Sequence, residues 1–277
     1  MNILLAFIHW NPSPEIFSIP ASWPLIGGYG LRWYGVLFSL GFVVGYYLML
    51  GFFKREGKSQ EDLDTLTLYM VAATVIGARL GHCLFYDPSY YLSHPLEILK
   101  VWEGGLASHG AVISILLGLW LYARNRKDQP FLWVVDRIVV VTALAGCFIR
   151  LGNLMNSEII GAPTSVPWAF IFDRVDSQPR HPSQLYEATF YFLSFLVLFW
   201  LYRRMRQNTP HGFLLGLFLI LVFGFRFLVE FMKEVQVPFE QGMSLNMGQW
   251  LSIPCVLLGI WLLWRVRSKV GPALKAA

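Results

Sequence analysis

The stretch Trp133-Val-Val-Asp136-Arg137-Ile-Val-Val-Val-Thr-Ala-Leu-Ala-Gly-Cys147-Phe-Ile-Arg150-Leu-Gly152-Asn153-Leu-Met155 decides how the chain is read. It is long enough to cross a membrane, which takes about 20 mainly apolar residues, yet it carries Arg150 and Asn153 near one end. Six other stretches are of the same kind. Reading apolar length bounded by charge, Gly and Pro places spans at 31–53, 66–86, 107–123, 133–155, 184–202, 212–232 and 247–264. The fold expected is an all-α integral membrane protein of about seven transmembrane helices. It forms one polytopic domain over residues 1–277, with a surface arm at 1–30 and a small extracytoplasmic cap at 156–183.

Composition agrees. The chain is 56% hydrophobic with a mean hydropathy of +0.51 and only 14% charged, where soluble domains carry about 25% charged residues. The net charge of +5 does not point to nucleic acid, because the basic residues sit in short loops and form no face interleaved with aromatics. Cys83, Cys147 and Cys255 all fall in apolar spans without metal-ligand spacing and read as buried hydrophobes. The first 30 residues lack a basic n-region, and His9-Trp10-Asn11-Pro12 interrupts their first apolar run, so a cleavable signal peptide is not indicated.

Charge also orients the spans. One set of alternate loops holds Lys54, Arg55, Lys58, Arg124, Arg126, Lys127, Arg203, Arg204 and Arg206, and the tail adds Arg265, Arg267, Lys269 and Lys275. The opposite loops hold Lys100, Arg174, Arg180 and Lys233. The positive-inside rule then puts the C-terminus in the cytoplasm and the N-terminus outside. Arg32, Arg79, Arg137, Arg150 and Arg226 lie in spans or at their ends, where an arginine costs about 2.5–3.5 kcal/mol and needs a partner or an aqueous cavity. At 1.5 Å per residue, Arg79, Arg150 and Arg226 rise roughly 20, 26 and 21 Å into a core about 30 Å thick. The inner halves of the spans read as almost uniformly apolar.

Polar residues from other spans gather toward the same outer side: Tyr34, His109, Gln184 and Glu187. Helix spacing puts Arg150 with Asn153, Arg226 with Glu230, and Arg79 with His82 and Tyr86 on shared faces. Gly41-x-x-x-Gly45, Gly77-x-x-x-Gly81 and Gly212-x-x-x-Gly216 suit close helix packing.

Two arginines in an outer cavity suit a phosphate, most simply a phospholipid headgroup, because the guanidinium fork pairs with phosphate oxygens and keeps its charge. The other reading is that Glu230 merely neutralises Arg226 and Asn153 ties down Arg150. His109, after Ser108, could take a proton near neutral pH, or cap a helix. No Gly-x-Ser-x-Gly elbow and no His-Glu-x-x-His occurs, which disfavours serine and zinc proteases.

The run Arg150-Leu-Gly-Asn153-Leu-Met-Asn156-Ser-Glu158-Ile-Ile-Gly161 closely resembles the signature of bacterial phosphatidylglycerol–prolipoprotein diacylglyceryl transferases. Further blocks follow in that family's order: Arg32-Trp-Tyr34-Gly, Gly77-Ala-Arg79-Leu-Gly81, Trp102-Glu-Gly-Gly105 with Ser108-His109-Gly110, Arg180-His-Pro-Ser-Gln-Leu-Tyr-Glu187, Phe225-Arg226-Phe227 with Glu230-Phe231, and Met247-Gly-Gln249 with Ser252-Ile-Pro254. The likeness covers about residues 30–265. It departs where Ile149 and Leu154 replace the usual Gly and Phe, and where Val222 and Phe223 replace a frequent Tyr-Gly pair.

The resemblance implies a multi-pass enzyme of the bacterial cytoplasmic (inner) membrane with its active site toward the outer leaflet. It would move the diacylglyceryl group of phosphatidylglycerol onto the lipobox cysteine thiol of a prolipoprotein and release glycerol phosphate. Arg150 and Arg226 would hold the phosphate and His109 would take the thiol proton. Tyr34, Asn153, Asn156, Glu158, Gly161 and Glu230 would bind and orient substrate. The attacking sulfur belongs to the substrate, and no metal or redox cofactor is required; the partners are phosphatidylglycerol, prolipoprotein signal peptides and membrane lipids. The rivals are an anion transporter, which would line both membrane halves and often shows inverted repeats, and a lipid-binding scaffold.

Overall fold

A computed structural model describes residues 7–20, 22–23, 28, 30–101, 105, 107–234, 240 and 242–275. The long helices are α1 (Trp33–Arg55), α2 (Gln60–Phe85), α4 (Ser108–Arg124), α5 (Phe131–Asn156), α6 (Ser183–Met205) and α9 (Met247–Lys275). Helices α7 (Phe213–Phe218) and α8 (Gly224–Val229) are joined by a π-helical turn, Leu219–Phe223, and a 3-10 turn, Glu230–Met232, follows. A short α3 (Pro88–Ser93) lies between α2 and α4. Each expected span coincides with one of these segments. Among the described residues six are long and apolar enough to cross a membrane, making this a multi-pass membrane protein. The remaining one, α4, has 17 residues, or about 25 Å.

Their surfaces fit a lipid solvent. Tyr47, Leu68, Leu84, Leu117, Trp200, Leu257 and Trp261 are all exposed, an arrangement that water would penalise and hydrocarbon does not.

The chain divides into two compact units, residues 1–48 with 138–277, and residues 49–137. In the first, strand β1 (Ile8–Trp10) pairs parallel with β4 (Phe170–Phe172), and β4 pairs antiparallel with β5 (Pro179–Arg180). Strands β2 (Glu15–Ser18) and β3 (Gly30–Arg32) form an antiparallel pair. Leu154, Ile160, Phe170 and Phe172 make a small core against which Trp10 and Leu185 pack. Gly41 and Gly45 let α1 approach α5: added β-carbons would lie 3.2 Å from Ala145 Cβ and 2.6 Å from Val141 Cγ1. Gly216 meets the Gly259 carbonyl in the same way (3.0 Å). Gly212 differs from the packing role expected of it. It caps α7 with φ +95°, a left-handed turn that glycine adopts without a steric penalty.

In the second unit α2 starts at Gln60, six residues before the apolar stretch. Ser59 caps it by accepting from the Asp62 N–H (3.0 Å), and Glu61 and Asp62 favour its positive end. Gly77 and Gly81 face Gly110 of α4, so the two backbones nearly touch. Around the α1–α2 and α4–α5 turns, polar residues that lie outside the apolar spans, with Arg137 just inside one, pair with one another. Glu56 accepts from Arg137 Nη2 (2.9 Å) and Trp133 Nε1 (2.9 Å), all but removed from solvent. Asp62 accepts from Arg126 Nε (2.8 Å) and Gln129 Nε2 (3.0 Å). Arg137 is affordable at depth because its charge is matched there.

Candidate functional site

In the first unit, Arg150 reaches from the last two turns of α5 toward α6. Its Nε lies 3.1 Å from Glu187 Oε2, and its Nη1 donates to Asn153 Oδ1 (3.1 Å). Glu187 is fully buried and Arg150 nearly so. The ion pair is close but poorly aligned, for Glu187 Oε2 accepts no hydrogen bond among the described residues. Tyr191, one turn along α6, donates to Glu187 Oε1 (3.2 Å) and lies within electrostatic reach of both Arg150 and Arg226.

The opposite carboxylate is Glu230, on the 3-10 turn after α8. Arg226 sits one turn before it with Nε 3.7 Å from Glu230 Oε1, and remains 34% exposed. Two features aim this segment. The π turn at Leu219–Phe223 shifts the helix face just before Arg226, a distortion frequent at functional sites. Phe225 stacks on Phe190 of α6 with ring centres 4.0 Å apart, fixing α8 beside Glu187. From the start of α9, Asn246 Nδ2 donates to Glu230 Oε2 (3.1 Å), while Asn246 and Gln249 cap one another's backbone N–H groups. Gly248 leaves room for the Glu230 carboxyl, which would be 2.6 Å from an added Cβ.

Between the two carboxylates stands Lys233. Its Nζ donates to Glu187 Oε1 (3.2 Å) and Glu230 Oε1 (2.9 Å), and its side chain is 2% exposed. A continuous chain of ion pairs therefore runs Arg150, Glu187, Lys233, Glu230, Arg226.

The signature segment frames this chain. Helix α5 ends at Asn156, and Ser157 and Ile159 both take φ of 55°, a conformation that costs a β-branched residue about 1–3 kcal/mol. The bend is held from several sides. Gln184 Nε2 donates to the Glu158 carbonyl (2.7 Å), Ser183 Oγ to the Ile159 carbonyl (2.8 Å), and Arg174 Nη2 to the Met155 carbonyl (2.6 Å). The exposed Glu158 carboxylate accepts from Asn153 Nδ2 (3.3 Å) and Asn156 Nδ2 (3.1 Å). Gly161 closes the segment by bridging to Lys233, and an added Cβ there would collide with the His181 carbonyl. Tyr34 lies against Gly152, where an added Cβ would meet its ring at 2.8 Å, within electrostatic reach of Glu158 and Arg150.

The structure thus brings Tyr34, Arg150, Asn153, Asn156, Glu158, Gly161, Arg226 and Glu230 into one unit. The pairings Arg150–Asn153 and Arg226–Glu230 expected from helix spacing both occur.

His109 and Arg79 belong to the second unit. His109, exposed at the first turn of α4, stacks on Tyr86 with ring centres 6.0 Å apart, and its Nε2 is 3.4 Å from the Tyr86 hydroxyl. Arg79 is buried and donates to the carbonyls of Glu97 (2.5 Å), Ile98 (3.0 Å) and Gly105 (3.4 Å). It anchors the segment leading to α4. Trp102, Glu103, Gly104 and Leu106 of the same motif lie outside the described residues, as do residues 1–6 of the arm.

Two residues of the ion-pair chain are absent from the site assigned on sequence. Glu187 was visible as the end of the block that opens α6, and Lys233 only as a sparse outer-loop lysine three residues after Glu230.

Chemically, the arrangement offers two guanidinium groups from different helices, each resting on a carboxylate that an anion could replace. Their fixed charge in a largely dry setting suits stabilisation of a developing negative charge.

Residues 20–265 match the family model described as prolipoprotein diacylglyceryl transferase. A protein of Tolumonas auensis is 49% identical over 256 residues, covering 92% of this chain and 96% of its own. One from Chloroherpeton thalassium is 51% identical over 260 residues, 94% of each chain, and one from Bacteroides fragilis 47% identical over 276 residues, 95% of this chain and 97% of its own. All three are named phosphatidylglycerol–prolipoprotein diacylglyceryl transferase.

Proposed function

The chain belongs to the prolipoprotein diacylglyceryl transferase family, and from that premise we propose that the ion-pair chain from Arg150 to Arg226 is where it binds the phosphate of phosphatidylglycerol. The enzyme transfers the diacylglyceryl group of phosphatidylglycerol to a prolipoprotein, the first step of lipoprotein maturation. The acceptor is the lipobox cysteine. Its sulfur attacks the diacylglyceryl carbon that bears the phosphate, a C–S bond forms, and the C–O bond breaks with its electron pair leaving on glycerol phosphate.

Arg150 and Arg226 stabilise that departing charge, each worth on the order of 3 kcal/mol in a dry site. The phosphate takes over the guanidinium edges now resting on Glu187 and Glu230. Tyr34, Asn153, Asn156 and Glu158 orient the headgroup or the peptide, and Gly161 admits the backbone that carries Lys233. The proton step is a separate proposal. A thiol of pKa about 8.5 is only partly ionised at neutral pH, and His109, at the head of α4 in the Ser108-His109-Gly110 block, is assigned to take its proton.

Helix α4 serves as the seventh span, the basic loops face the cytoplasm, and the site opens to the outer leaflet of the bacterial cytoplasmic membrane. The cation–π pairs Trp120–Arg124 (5.2 Å), Trp200–Arg204 (5.8 Å) and Trp261–Arg265 (5.6 Å) support this orientation, since tryptophan and arginine together mark a cytoplasmic interface. The observation that carries the function is the union of two arginines from different helices through one buried Glu–Lys–Glu link. Mass spectrometry of a lipobox peptide incubated with purified protein and phosphatidylglycerol tests it. The peptide gains one diacylglyceryl unit, and replacing its cysteine abolishes the gain; an unchanged mass rejects the reading.

A further inference from the structure

We propose that Lys233 is the positioning residue of this anion site: by sharing Glu187 and Glu230 with Arg150 and Arg226, it keeps the two carboxylates from fully neutralising the arginines and leaves one positive charge in surplus for a phosphodiester. The inference rests on reading the cluster as the phosphate site.

Lys233 is almost wholly withdrawn from solvent, and its ammonium contacts one oxygen of each carboxylate. A buried ammonium persists only where its charge is matched, and here the match is double. Its place is set by backbone as well as charge. Residue 233 bridges to Gly161, and the Ala162 N–H donates to the Met232 carbonyl (2.8 Å). The lysine is thereby built into the signature segment instead of hanging from a mobile loop.

The directly ion-paired set holds three cations, Arg150, Lys233 and Arg226, against two carboxylates, Glu187 and Glu230. A lipid phosphodiester brings a single negative charge and balances it. Without the ammonium, two guanidiniums face two carboxylates, and the phosphate must displace a fully competing carboxylate from each. Glu158, one amide further out through Asn153, is common to every variant and drops out of the comparison. Lys233 does not need to touch the lipid; its effect is exerted through the two glutamates.

The test is steady-state transfer in mixed micelles, titrating phosphatidylglycerol mole fraction and lipobox peptide separately, for the parent, Lys233→Met, Lys233→Arg and the double variant Glu187→Gln/Lys233→Met. For Lys233→Met the lipid fraction giving half-maximal rate rises about tenfold, the scale of one charge-assisted hydrogen bond, while the peptide half-saturation stays within about twofold. Lys233→Arg keeps the charge and stays near the parent. The double variant, again with one cation in surplus, returns most of the way to the parent's lipid requirement. Should Lys233→Met fail to fold, the double variant, which removes one charge of each sign and leaves Arg150 as the cation in surplus, carries the test alone.

A Lys233→Met enzyme with the parent's lipid requirement overturns the proposal. So does a double variant with no recovery, which would mean that Lys233 acts on the lipid itself. A parent that forms no thioether overturns the underlying reading, and this is seen before any variant is compared.

Discussion

Arg150 of α5 and Glu187 of α6 form an ion pair at 3.1 Å in which the carboxylate is completely withdrawn from solvent. Two helices 37 positions apart in sequence at these residues are thus joined by opposite charges that neither could bury alone. Truncating the acid leaves Arg150 and Lys233 both short of a partner. Glu187→Ala is expected to lose about 3–5 kcal/mol of stability, with Glu187→Gln milder because the amide still accepts a hydrogen bond. Thermal unfolding in detergent measures both, and a Glu187→Ala midpoint equal to the parent's would remove the pair from the account.

The α2–α4 contact makes a sharper steric prediction. A Cβ at Gly110 would stand 2.6 Å from Gly81 Cα, where backbone cannot yield, so Gly110→Ala should cost about 1–3 kcal/mol. Gly51, with nothing within 4 Å of an added Cβ, is the control; Gly51→Ala should change stability by less than about 0.5 kcal/mol or raise it slightly. Equal effects at the two positions would contradict the packing described.

His181 makes the region around β5 sensitive to pH. Its Nδ1 is 3.1 Å from the Tyr186 hydroxyl, which accepts from Trp168 Nε1 (2.8 Å), and burial pushes its pKa below the ordinary 6.5. The folded state favours the neutral ring. Its contribution is complete above pH 6.5 and declines as pH falls below that value, because the unfolded chain then gains a proton that the folded one resists. Amide exchange at Gly161 and His181, whose N–H groups bond to the His181 and Ala162 carbonyls, should lose protection between pH 7.5 and 5.5 after correction for intrinsic rates. His181→Phe should flatten that dependence. Asp176 acts lower: hydrogen bonding from Arg180 holds its carboxyl below the usual range, so its share is lost only in stronger acid.

The proton step is tested at His109. His109→Gln keeps a polar side chain and removes the imidazole proposed as the base, and transfer to a lipobox peptide should fall by about two orders of magnitude. Activity within a few-fold of the parent excludes His109 as an essential base.

Much of this was legible in one dimension. Apolar length located every long helix, because lipid replaces water as the solvent of their outer faces, and helix spacing paired Arg150 with Asn153 and Arg226 with Glu230. Contacts that depend on chain reversal were not legible. Lys233 reads as a loop lysine until the Gly161 bridge turns it inward between two glutamates. Glu56 and Arg137 lie 81 positions apart, so hydropathy alone shows an isolated charge where the fold supplies its partner. Gly212 shared the spacing of a packing glycine, yet spacing carries no record of φ.

In the proposed mechanism guanidinium groups from α5 and α8 hold one lipid phosphate as sulfur displaces it. The most direct measurement is the rate of diacylglyceryl transfer by Arg150→Ala and Arg226→Ala at saturating lipobox peptide, each confirmed folded by its thermal midpoint. Each is expected to fall by about two orders of magnitude or more, on the order of 3 kcal/mol in the barrier. A near-parental rate in either folded variant would contradict that mechanism.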